Sequence, residues 1–392
     1  MPTPLTLNEL SAIDGSLTEE ERQLRASVRR LVAARYAPRA AALFENEEFP
    51  SDLIDELAGL GLLGAGLEGY GCAGLGAVAY GMILQELEYG DSALRSFVSV
   101  QGSLAMQAIH SFGDESQKQR WLPEMASGKL IGCFGLTEPD SGSDPASMRT
   151  VARKDGDDYI LNGTKMWITN SPIAHVAVVW AKTDARDAKS VTGFVVERDS
   201  DGFETPTITG KMSLRASVTG EIVLNDVRVP SRQMLAGKRG LGAPLACLSS
   251  ARFGISWGAL GAARACLEST ISYTRERKQF GVPIARKQLV QAEIADMASS
   301  LITGELLALH MGRIKERGEL RHEQISLCKR NNVAAALDIA RRCRALLGAN
   351  GILLDYPVIR HMLNLESVIT YEGTHEVHTL VLGRALTGED AF

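Results

Sequence analysis

Near its C-terminus the chain reads Ile369-Thr370-Tyr371-Glu372-Gly373-Thr374-His375-Glu376, between two helical patterns. Apolar residues upstream recur at the three- and four-residue spacings of one helix face: Val358, Met362, Leu365 and Ile369. The same pattern resumes downstream at Val377, Leu380, Val381 and Ala385. We therefore predict two helices that are separated by a short break.

Glu372 is the residue of chemical interest in this break. Gly373 permits a tight turn, and Thr374 can cap the second helix, with Glu376 in its first turn. Glu372 then lies on a bend flanked by apolar sequence. In a dry cavity its carboxylate would have the raised pKa that a general base for a weakly acidic C–H requires. The alternative is a glutamate in a solvated loop.

The whole chain has 392 residues, 45% of them apolar, and a net charge of −5. This composition predicts a large core and two or three structural units. Lysine and arginine are dispersed, so neither a nucleic-acid site nor an anionic membrane surface is expected. We expect neither a signal peptide nor a membrane span, because the N-terminus lacks a basic region followed by an apolar run and no apolar run is long enough to cross a membrane.

The six cysteines are scattered without a C-x-x-C pair, which favours neither a disulfide framework nor a zinc site. His375 and His378 have no third ligand at a suitable spacing, so we expect no metal. A reduced, cytoplasmic compartment fits this cysteine usage.

Sequence patterns change twice along the chain, which predicts domains at 1–131, 132–240 and 241–392. The first domain is predicted to be helical and opens with a Thr18–Glu21 capping box, with Pro38 ending the first helical run. The second carries short β-branched runs separated by Gly, Asp and Asn turns. The third returns to long helices at 248–274, 289–312 and 323–347.

A G-x-G-x-x-G pattern occurs at Gly64-Ala65-Gly66-Leu67-Glu68-Gly69. A dinucleotide-binding motif needs a strand before it and a helix directly after it. Here a helical pattern precedes it and more glycines follow. We therefore predict no Rossmann site.

Three other segments suit a flavin nucleotide. The loop 134–144 concentrates hydroxyls and backbone donors, and the segment 166–171 places Trp167 beside Thr169. Segment 275–281 carries Arg275 and Arg277, which can bind pyrophosphate. Each segment alone also fits an ordinary turn, a core tryptophan or a solvated helix end.

Taken in order, five motifs resemble the acyl-CoA dehydrogenase family: Leu136-Thr137-Glu138-Pro139 with Gly142-Ser143-Asp144, Met166-Trp167-Ile168-Thr169-Asn170, Arg275-Glu276-Arg277-Lys278-Gln279-Phe280-Gly281, Leu347-Gly348-Ala349-Asn350-Gly351 and Tyr371-Glu372-Gly373-Thr374. The resemblance implies an α+β, mainly α fold. Its parts would be an N-terminal helical domain, a central β-barrel domain and a C-terminal four-helix bundle. It also implies a homotetramer with one FAD per subunit and makes Glu372 the catalytic base.

The same resemblance assigns the flavin contacts. In the same subunit they are Phe134, Leu136, Thr137, Ser143, Trp167, Ile168, Thr169, Thr374 and Glu376. The contacts to the FAD of a neighbouring subunit are Arg277, Phe280, Gln288 and the segment around Gly348. Ala349 departs from the family pattern, which commonly has a second glycine there.

Three further stretches, Glu86-Leu87-Glu88, Asp91-Ser92-Ala93-Leu94-Arg95-Ser96 and Lys211-Met212-Ser213-Leu214-Arg215-Ala216-Ser217, resemble the glutaryl-CoA dehydrogenase branch of the family. In that branch the position of Arg95 binds the distal carboxylate of the substrate. The other substrate contacts implied are Ser96, Glu88, Tyr371, Ser143 and Gly373, with Arg252 on the CoA moiety. The residues around Arg95, Glu88-Tyr89-Gly90 and Ala93-Leu94, depart from that branch. The alternative for Arg95 is a helix-end arginine paired with Asp91.

The reaction implied is removal of the α-proton of glutaryl-CoA by Glu372 with hydride transfer to FAD, followed by loss of CO2 to give crotonyl-CoA. Electrons would leave through an electron-transferring flavoprotein. Three alternatives stay open at this point. They are a non-decarboxylating dehydrogenase for another short or branched acyl-CoA, a non-catalytic flavin- or acyl-CoA-binding protein, and an NAD-dependent dehydrogenase.

Overall fold

The computed structural model describes residues 3–390, and its N-terminal domain is helical. Its α-helices are α1 Leu7–Ser11, α2 Glu19–Leu31, α3 Ala40–Glu45, α4 Ile54–Gly59, α5 Ala77–Gly90, α6 Ser92–Ser99, α7 Gln107–Phe112 and α8 Glu115–Ala126. The predicted capping box is present, because Glu21 N donates to Thr18 Oγ1 at 3.2 Å and Thr18 N donates to Glu21 Oε2 at 2.8 Å. Pro38 does not end the helical run: a π turn and a 3₁₀ turn carry it on to α3.

The segment around Gly64 forms turns between α4 and α5, with no strand before it. This arrangement agrees with the rejection of a dinucleotide motif there. The π-helical segment Val100–Met106 continues α6 into α7 and is buried throughout.

The middle domain contains one mixed sheet of eight strands within the described residues. They are β1 Gly132–Gly135, β2 Val151–Asp155, β3 Asp158–Thr169, β4 Val176–Lys182, β5 Val191–Glu197, β6 Phe203–Glu204, β7 Thr219–Pro230 and β8 Met234–Leu235. The strand order is β6-β7-β3-β2-β4-β5-β8, with β1 parallel to β4 in the register Gly132↔Val176. The long β3–β7 pair has a register shift between Lys165 and Ile168, which is where Trp167 lies.

The C-terminal part is again helical. Its elements are α9 Gly242–Glu276, the short hairpin β9 Lys278–Gln279 and β10 Val282–Pro283, α10 Gln288–Glu316, α11 His322–Leu346, α12 Pro357–Val368 and α13 His375–Thr387. Helices α9, α10 and α11 pack against one another, and α12 and α13 pack on α11. Helix α5 packs on α9, so one apolar core joins the two helical parts.

Helices α5 and α9 approach closely because glycine faces the partner helix. A Cβ built on Gly81 would overlap the ring of Trp257. A Cβ on Gly261 would overlap the carbonyl oxygen of Gln85. The contact brings residues at the end of α5 and in α6 against the middle of α9.

Over residues 3–390, no helix is both long and apolar enough to cross a membrane. The same residues contain no cluster of three or more potential metal ligands. All six cysteines are free thiols.

Candidate active site

The break predicted around Glu372 is a turn between α12 and α13. Thr374 caps α13, because its Oγ1 accepts from Val377 N at 3.2 Å. Glu372 and Gly373 both have left-handed backbone conformations, with φ of 51° and 99°. Such a conformation is strained for glutamate, so surrounding contacts must hold it in place.

Two cationic side chains provide those contacts. Lys329 on α11 donates from Nζ to the carbonyl oxygens of Ile369, Tyr371 and Gly373, at 3.3, 3.2 and 2.8 Å. Arg252 on α9 donates from Nε to the carbonyl oxygen of Glu372 at 2.6 Å. The turn is therefore fixed through its backbone by side chains from two helices of the bundle.

The carboxylate of Glu372 is partly buried, with one of its oxygens held away from water. Its Oε2 is inaccessible and has no hydrogen-bond partner among the described residues. Burial raises the pKa of Glu372 to about 6, although Arg95, Arg252 and Lys329 act in the opposite direction. An unpaired carboxylate with a raised pKa is suited to accept a proton.

Arg95 lies at the centre of a buried cluster beside this turn. Its side chain is 1% exposed, and its Nε donates to Glu88 Oε2 at 2.6 Å. Its Nη2 donates to Glu88 Oε1 at 3.3 Å and also to the hydroxyl of Tyr371. Burial, with a smaller effect from the Glu88 charge, raises the pKa of Tyr371 to about 12, although Arg95 acts in the opposite direction.

The alternative pairing of Arg95 with Asp91 does not occur. Asp91 is instead an ion-pair partner of Arg360 and accepts from Asn364 Nδ2 at 3.0 Å. Asp91 also caps α6 by accepting from Ala93 N at 2.8 Å. Arg95 is thus a buried guanidinium that a different carboxylate, Glu88, orients.

The cluster retains unused hydrogen-bonding groups. The hydroxyls of Ser96 and Ser99, one turn of α6 apart, are buried and without partners in residues 3–390. In the same part of the chain, Arg95 Nη1 donates to no protein acceptor. Buried donors without partners are costly unless a ligand or water satisfies them.

Gly258 on α9 makes room for this cluster. A Cβ at Gly258 would overlap Glu88 Oε2 and would lie 3.2 Å from Cγ and Nε of Arg95. The close α5–α9 contact is therefore a condition for the Arg95–Glu88 pair.

The two β-domain segments predicted to bind flavin lie side by side. Met166 N donates to the carbonyl oxygen of Thr137 at 2.9 Å, which joins the loop after β1 to the end of β3. Next to this bond, Trp167 has a φ of 63° and is 57% exposed. A large exposed aromatic on a bulge fits the stacking surface of a flat heterocycle.

A buried ion pair shapes the loop between β1 and β2. Lys165 Nζ donates to Glu138 Oε1 at 2.9 Å and to the carbonyl oxygen of Leu136 at 3.1 Å. Glu138 also accepts from the backbone N–H groups of Arg149 and Thr150, at 2.6 and 2.9 Å. Burial lowers the pKa of Lys165 to about 8.

The predicted flavin residues differ in how they are placed. Phe134, Leu136 and Ile168 are buried in apolar clusters, so only their backbone or a side-chain edge can face a cofactor. Thr137 and Thr169 are half-buried, and Ser143 and Glu376 are exposed. Their contacts with FAD remain predictions.

The residues predicted to contact a neighbouring subunit's cofactor are all exposed: Arg277, Phe280, Gln288 and Gly348. Phe280 is 92% exposed at the tip of the β9–β10 hairpin, and Leu289 at the start of α10 is 83% exposed. Exposed apolar side chains of this size favour an interface.

Two residues of this site were not assigned from the sequence. They are Lys329 and Gly258. Lys329 could have been found as a lysine on the buried face of α11, which also carries Ile325, Cys328 and Val333. Gly258 has no comparable signal, because α9 contains several glycines with different neighbours.

Family models match the chain in three consecutive parts. They are the acyl-CoA dehydrogenase N-terminal domain over residues 18–129, the middle domain over 133–227 and the C-terminal domain over 238–387.

Solved structures with similar chains include a glutaryl-CoA dehydrogenase from Mycobacterium smegmatis, which is 57% identical with a TM-score of 0.97 and covers 99% of this chain and 100% of its own. A second, a glutaryl-CoA dehydrogenase from the same organism in complex with FADH2, is 54% identical with a TM-score of 0.97 and the same coverage. The mitochondrial short-chain specific acyl-CoA dehydrogenase of Rattus norvegicus is 34% identical over 370 residues, which are 93% of this chain and 90% of the rat protein.

Proposed function

Because the chain belongs to the acyl-CoA dehydrogenase family and is thus an FAD-dependent oxidoreductase acting on an acyl-CoA, we propose that it converts glutaryl-CoA to crotonyl-CoA and CO2. The buried Arg95 carries this proposal. Its free Nη1, with the Ser96 and Ser99 hydroxyls on the same helix, offers donors that a simple alkyl chain leaves unsatisfied. A distal carboxylate satisfies them.

The charges around the site support an anionic substrate. Arg95, Arg252 and Lys329 are cationic, and they face the carboxylates of Glu88 and Glu372. Among the described residues, Arg95 forms an ion pair only with Glu88 and keeps its Nη1 without a protein acceptor, so a substrate carboxylate has a buried cationic donor to pair with.

Glu372 is the proposed base. At neutral pH a carboxyl with a pKa near 6 is mostly ionised, yet it is more basic than an exposed glutamate. It takes the α-proton of the thioester, while FAD, when bound, accepts the hydride from Cβ. By family resemblance the Glu372 N–H stabilises the thioester oxygen, and the two carbonyl-bound cations keep that peptide in place.

Decarboxylation follows from the same groups. The oxidised product is a vinylogous carboxylate, and loss of CO2 leaves a dienolate that needs a proton at Cγ. Glu372 now carries the α-proton and can return it there. Glu88 offsets much of the Arg95 charge, so the substrate carboxylate is oriented without being held too strongly to leave as CO2.

FAD binding is proposed for the surface formed by Thr137, Trp167 and Thr169, with the Ser143 loop and the N-terminus of α13 at Thr374 and Glu376. Arg277, Phe280, Gln288 and Gly348 would contact the FAD of another subunit in a homotetramer. An electron-transferring flavoprotein is the proposed acceptor. Arg252 is the proposed contact for the CoA moiety, and Gly373 is a proposed substrate contact.

The test is incubation of the holoenzyme with glutaryl-CoA and an artificial electron acceptor, with mass analysis of the products. Crotonyl-CoA with released CO2 supports the proposal. Accumulation of glutaconyl-CoA places the enzyme among non-decarboxylating dehydrogenases. The 34% identity to a short-chain specific enzyme favours a short, uncharged acyl-CoA as the second candidate. That candidate prevails if butyryl-CoA, used as the probe, bleaches the flavin and glutaryl-CoA does not.

A further inference from the structure

We propose that Lys329 is a positioning residue of the dehydrogenation, which fixes the backbone of residues 369–373 and keeps the Glu372 carboxylate ionised. The inference rests on the proposed role of Glu372 as the base. Lys329 itself touches neither substrate nor cofactor in this assignment. It acts through the turn that carries Glu372.

The geometry of the amine supports this role. Lys329 is 1% exposed and reaches three alternate carbonyl oxygens of one five-residue segment, at 2.8 to 3.3 Å. An ammonium group has three N–H donors, and Lys329 directs all three at the same turn. Since Glu372 has a strained backbone there, loss of the three bonds frees the turn to relax.

The absence of an ion pair is informative. Within residues 3–390, no carboxylate lies within salt-bridge distance of Lys329 Nζ. Buried ammonium groups are normally paired, because an isolated buried charge is costly. Here the amine binds neutral carbonyl groups, so its charge acts on the nearby Glu372 carboxylate without a direct contact that would occupy the base.

The charged and titratable groups that face Lys329 come from four other parts of the site: Glu372 on the turn, Arg252 on α9, Arg95 on α6, and Glu376 and His378 on α13. Burial lowers the pKa of Lys329 to about 7, and Glu372 opposes this shift. Burial also lowers the pKa of His378 to about 3, so this imidazole is neutral at working pH. Glu372 is thus the main anion that the ammonium stabilises.

A direction for the pH dependence follows. The Lys329 charge lowers the pKa of Glu372, and removal of that charge raises it further above the usual value of a glutamate. Because the base works only when ionised, the rate then rises with pH at a higher pH than in the wild type.

The experiment compares the holoenzyme with Lys329→Met and Lys329→Arg. Flavin reduction by a saturating acyl-CoA is followed anaerobically by stopped flow between about pH 5 and pH 9, and bound FAD is measured separately. For Lys329→Met we expect full FAD content and a rate about 10- to 100-fold lower at neutral pH. The acid limb, which is the part of the pH profile where the rate rises as Glu372 becomes ionised, should move upward by about one pH unit. Lys329→Arg keeps the charge and should return the limb to its wild-type position.

Lys315→Met is the matched control. Lys315 on α10 is also partly buried, with its pKa lowered by burial, but its ammonium lies over the ring of Phe253 and not on the turn. The same chemical change there should leave the acid limb in place.

Two results overturn the proposal. One is a Lys329→Met enzyme with wild-type rate and limb, and the other is a slowed enzyme with an unshifted limb, which reduces Lys329 to a packing role. If Lys329→Met fails to fold, Lys329→Arg provides the test. This variant keeps the positive charge, so an acid limb that still moves upward contradicts the inference. A Glu372→Gln enzyme that reduces flavin at the wild-type rate would instead show that Glu372 is not the base. That result contradicts the proposed function and is distinct from the two results that contradict the role of Lys329.

Discussion

Two buried lysines organise two loops of this molecule in different ways. Lys165 in the β domain pairs with Glu138, and this carboxylate in turn binds two backbone N–H groups of the loop before β2. Lys329 binds three carbonyl oxygens of the turn around Glu372 and no carboxylate within the described chain. In the first loop the charge is neutralised locally, and in the second it is left to act on neighbouring groups.

The difference indicates which loop is structural and which is chemical. A paired lysine and glutamate form a fixed scaffold on which the exposed Trp167 and the Thr137 loop are presented. Lys329 pairs with no carboxylate in the described chain, and the neighbouring Glu372 Oε2 accepts no hydrogen bond there, so the base stays available to a substrate. Four experiments separate the two cases.

Replacement of the base should have the largest effect. Glu372→Gln is nearly isosteric but cannot accept a proton, so flavin reduction should fall by about 10²–10⁴-fold while the fold and FAD content are kept. Stopped-flow reduction with a good substrate measures the loss. A variant that reduces flavin at the wild-type rate shows that the turn does not carry the base.

Removal of the paired lysine should act on stability. Lys165→Met leaves Glu138 buried and without its cation, which costs about 3–5 kcal/mol of unfolding free energy. The double change Lys165→Met with Glu138→Gln should recover part of this loss in denaturant unfolding. Lys329→Met leaves no carboxylate without its ion-pair partner, so its loss of unfolding free energy should be smaller. Equal losses of unfolding free energy for Lys165→Met and Lys329→Met would contradict the distinction between a paired, structural lysine and an unpaired one.

Arg95 should discriminate between substrates. Loss of a charge-assisted contact in a dry pocket costs about 2–5 kcal/mol, so Arg95→Ala should lower kcat/KM for glutaryl-CoA by ~30-fold or more relative to butyryl-CoA. The ratio of kcat/KM for the two substrates is independent of any general loss of activity caused by leaving Glu88 without its cation. An unchanged ratio means that Arg95 is structural only.

The pH dependence should give the smallest effect. The pKa of Glu372 is raised to about 6, and the ionised form is the active one, so flavin reduction should rise about tenfold from pH 5 to pH 7 and then level. Lys165, with a pKa of about 8, keeps its charge throughout this range. A flat profile over these two pH units contradicts a base with this pKa.

The sequence predicted the parts of the fold whose cause is local. The Thr18 capping box, the Gly373 turn and the Thr374 cap depend on a few neighbouring residues, and all three are present. The three-domain fold of the family was also predicted, from ordered motifs. Strand β1 was not predicted as a strand, because it is buried on both faces and shows no alternation.

The site was predictable where a residue's own type signalled chemistry, as with Glu372 and Arg95. The partner of Arg95 was not fixed by the sequence, since Asp91 and Glu88 both lie within one or two helical turns of it. Only the packing of α5 on α9, with Gly258 at the contact, assigns Glu88 to Arg95 and leaves Asp91 to Arg360. Likewise, Lys329 reaches the turn only because α11 packs beside α12 and α13.

The close contact of α5 and α9 has a consequence for redesign of the enzyme. Gly81, Gly258 and Gly261 leave no volume for even one extra methyl group, so these positions form a rigid frame that a designer must keep. The adjustable positions are instead Ser96 and Ser99, whose hydroxyls bond to nothing else in the described chain. Alanine at these two positions would remove the free hydroxyls without adding volume beside the frame, which makes this stretch of α6 the place to begin a change of acyl-chain preference.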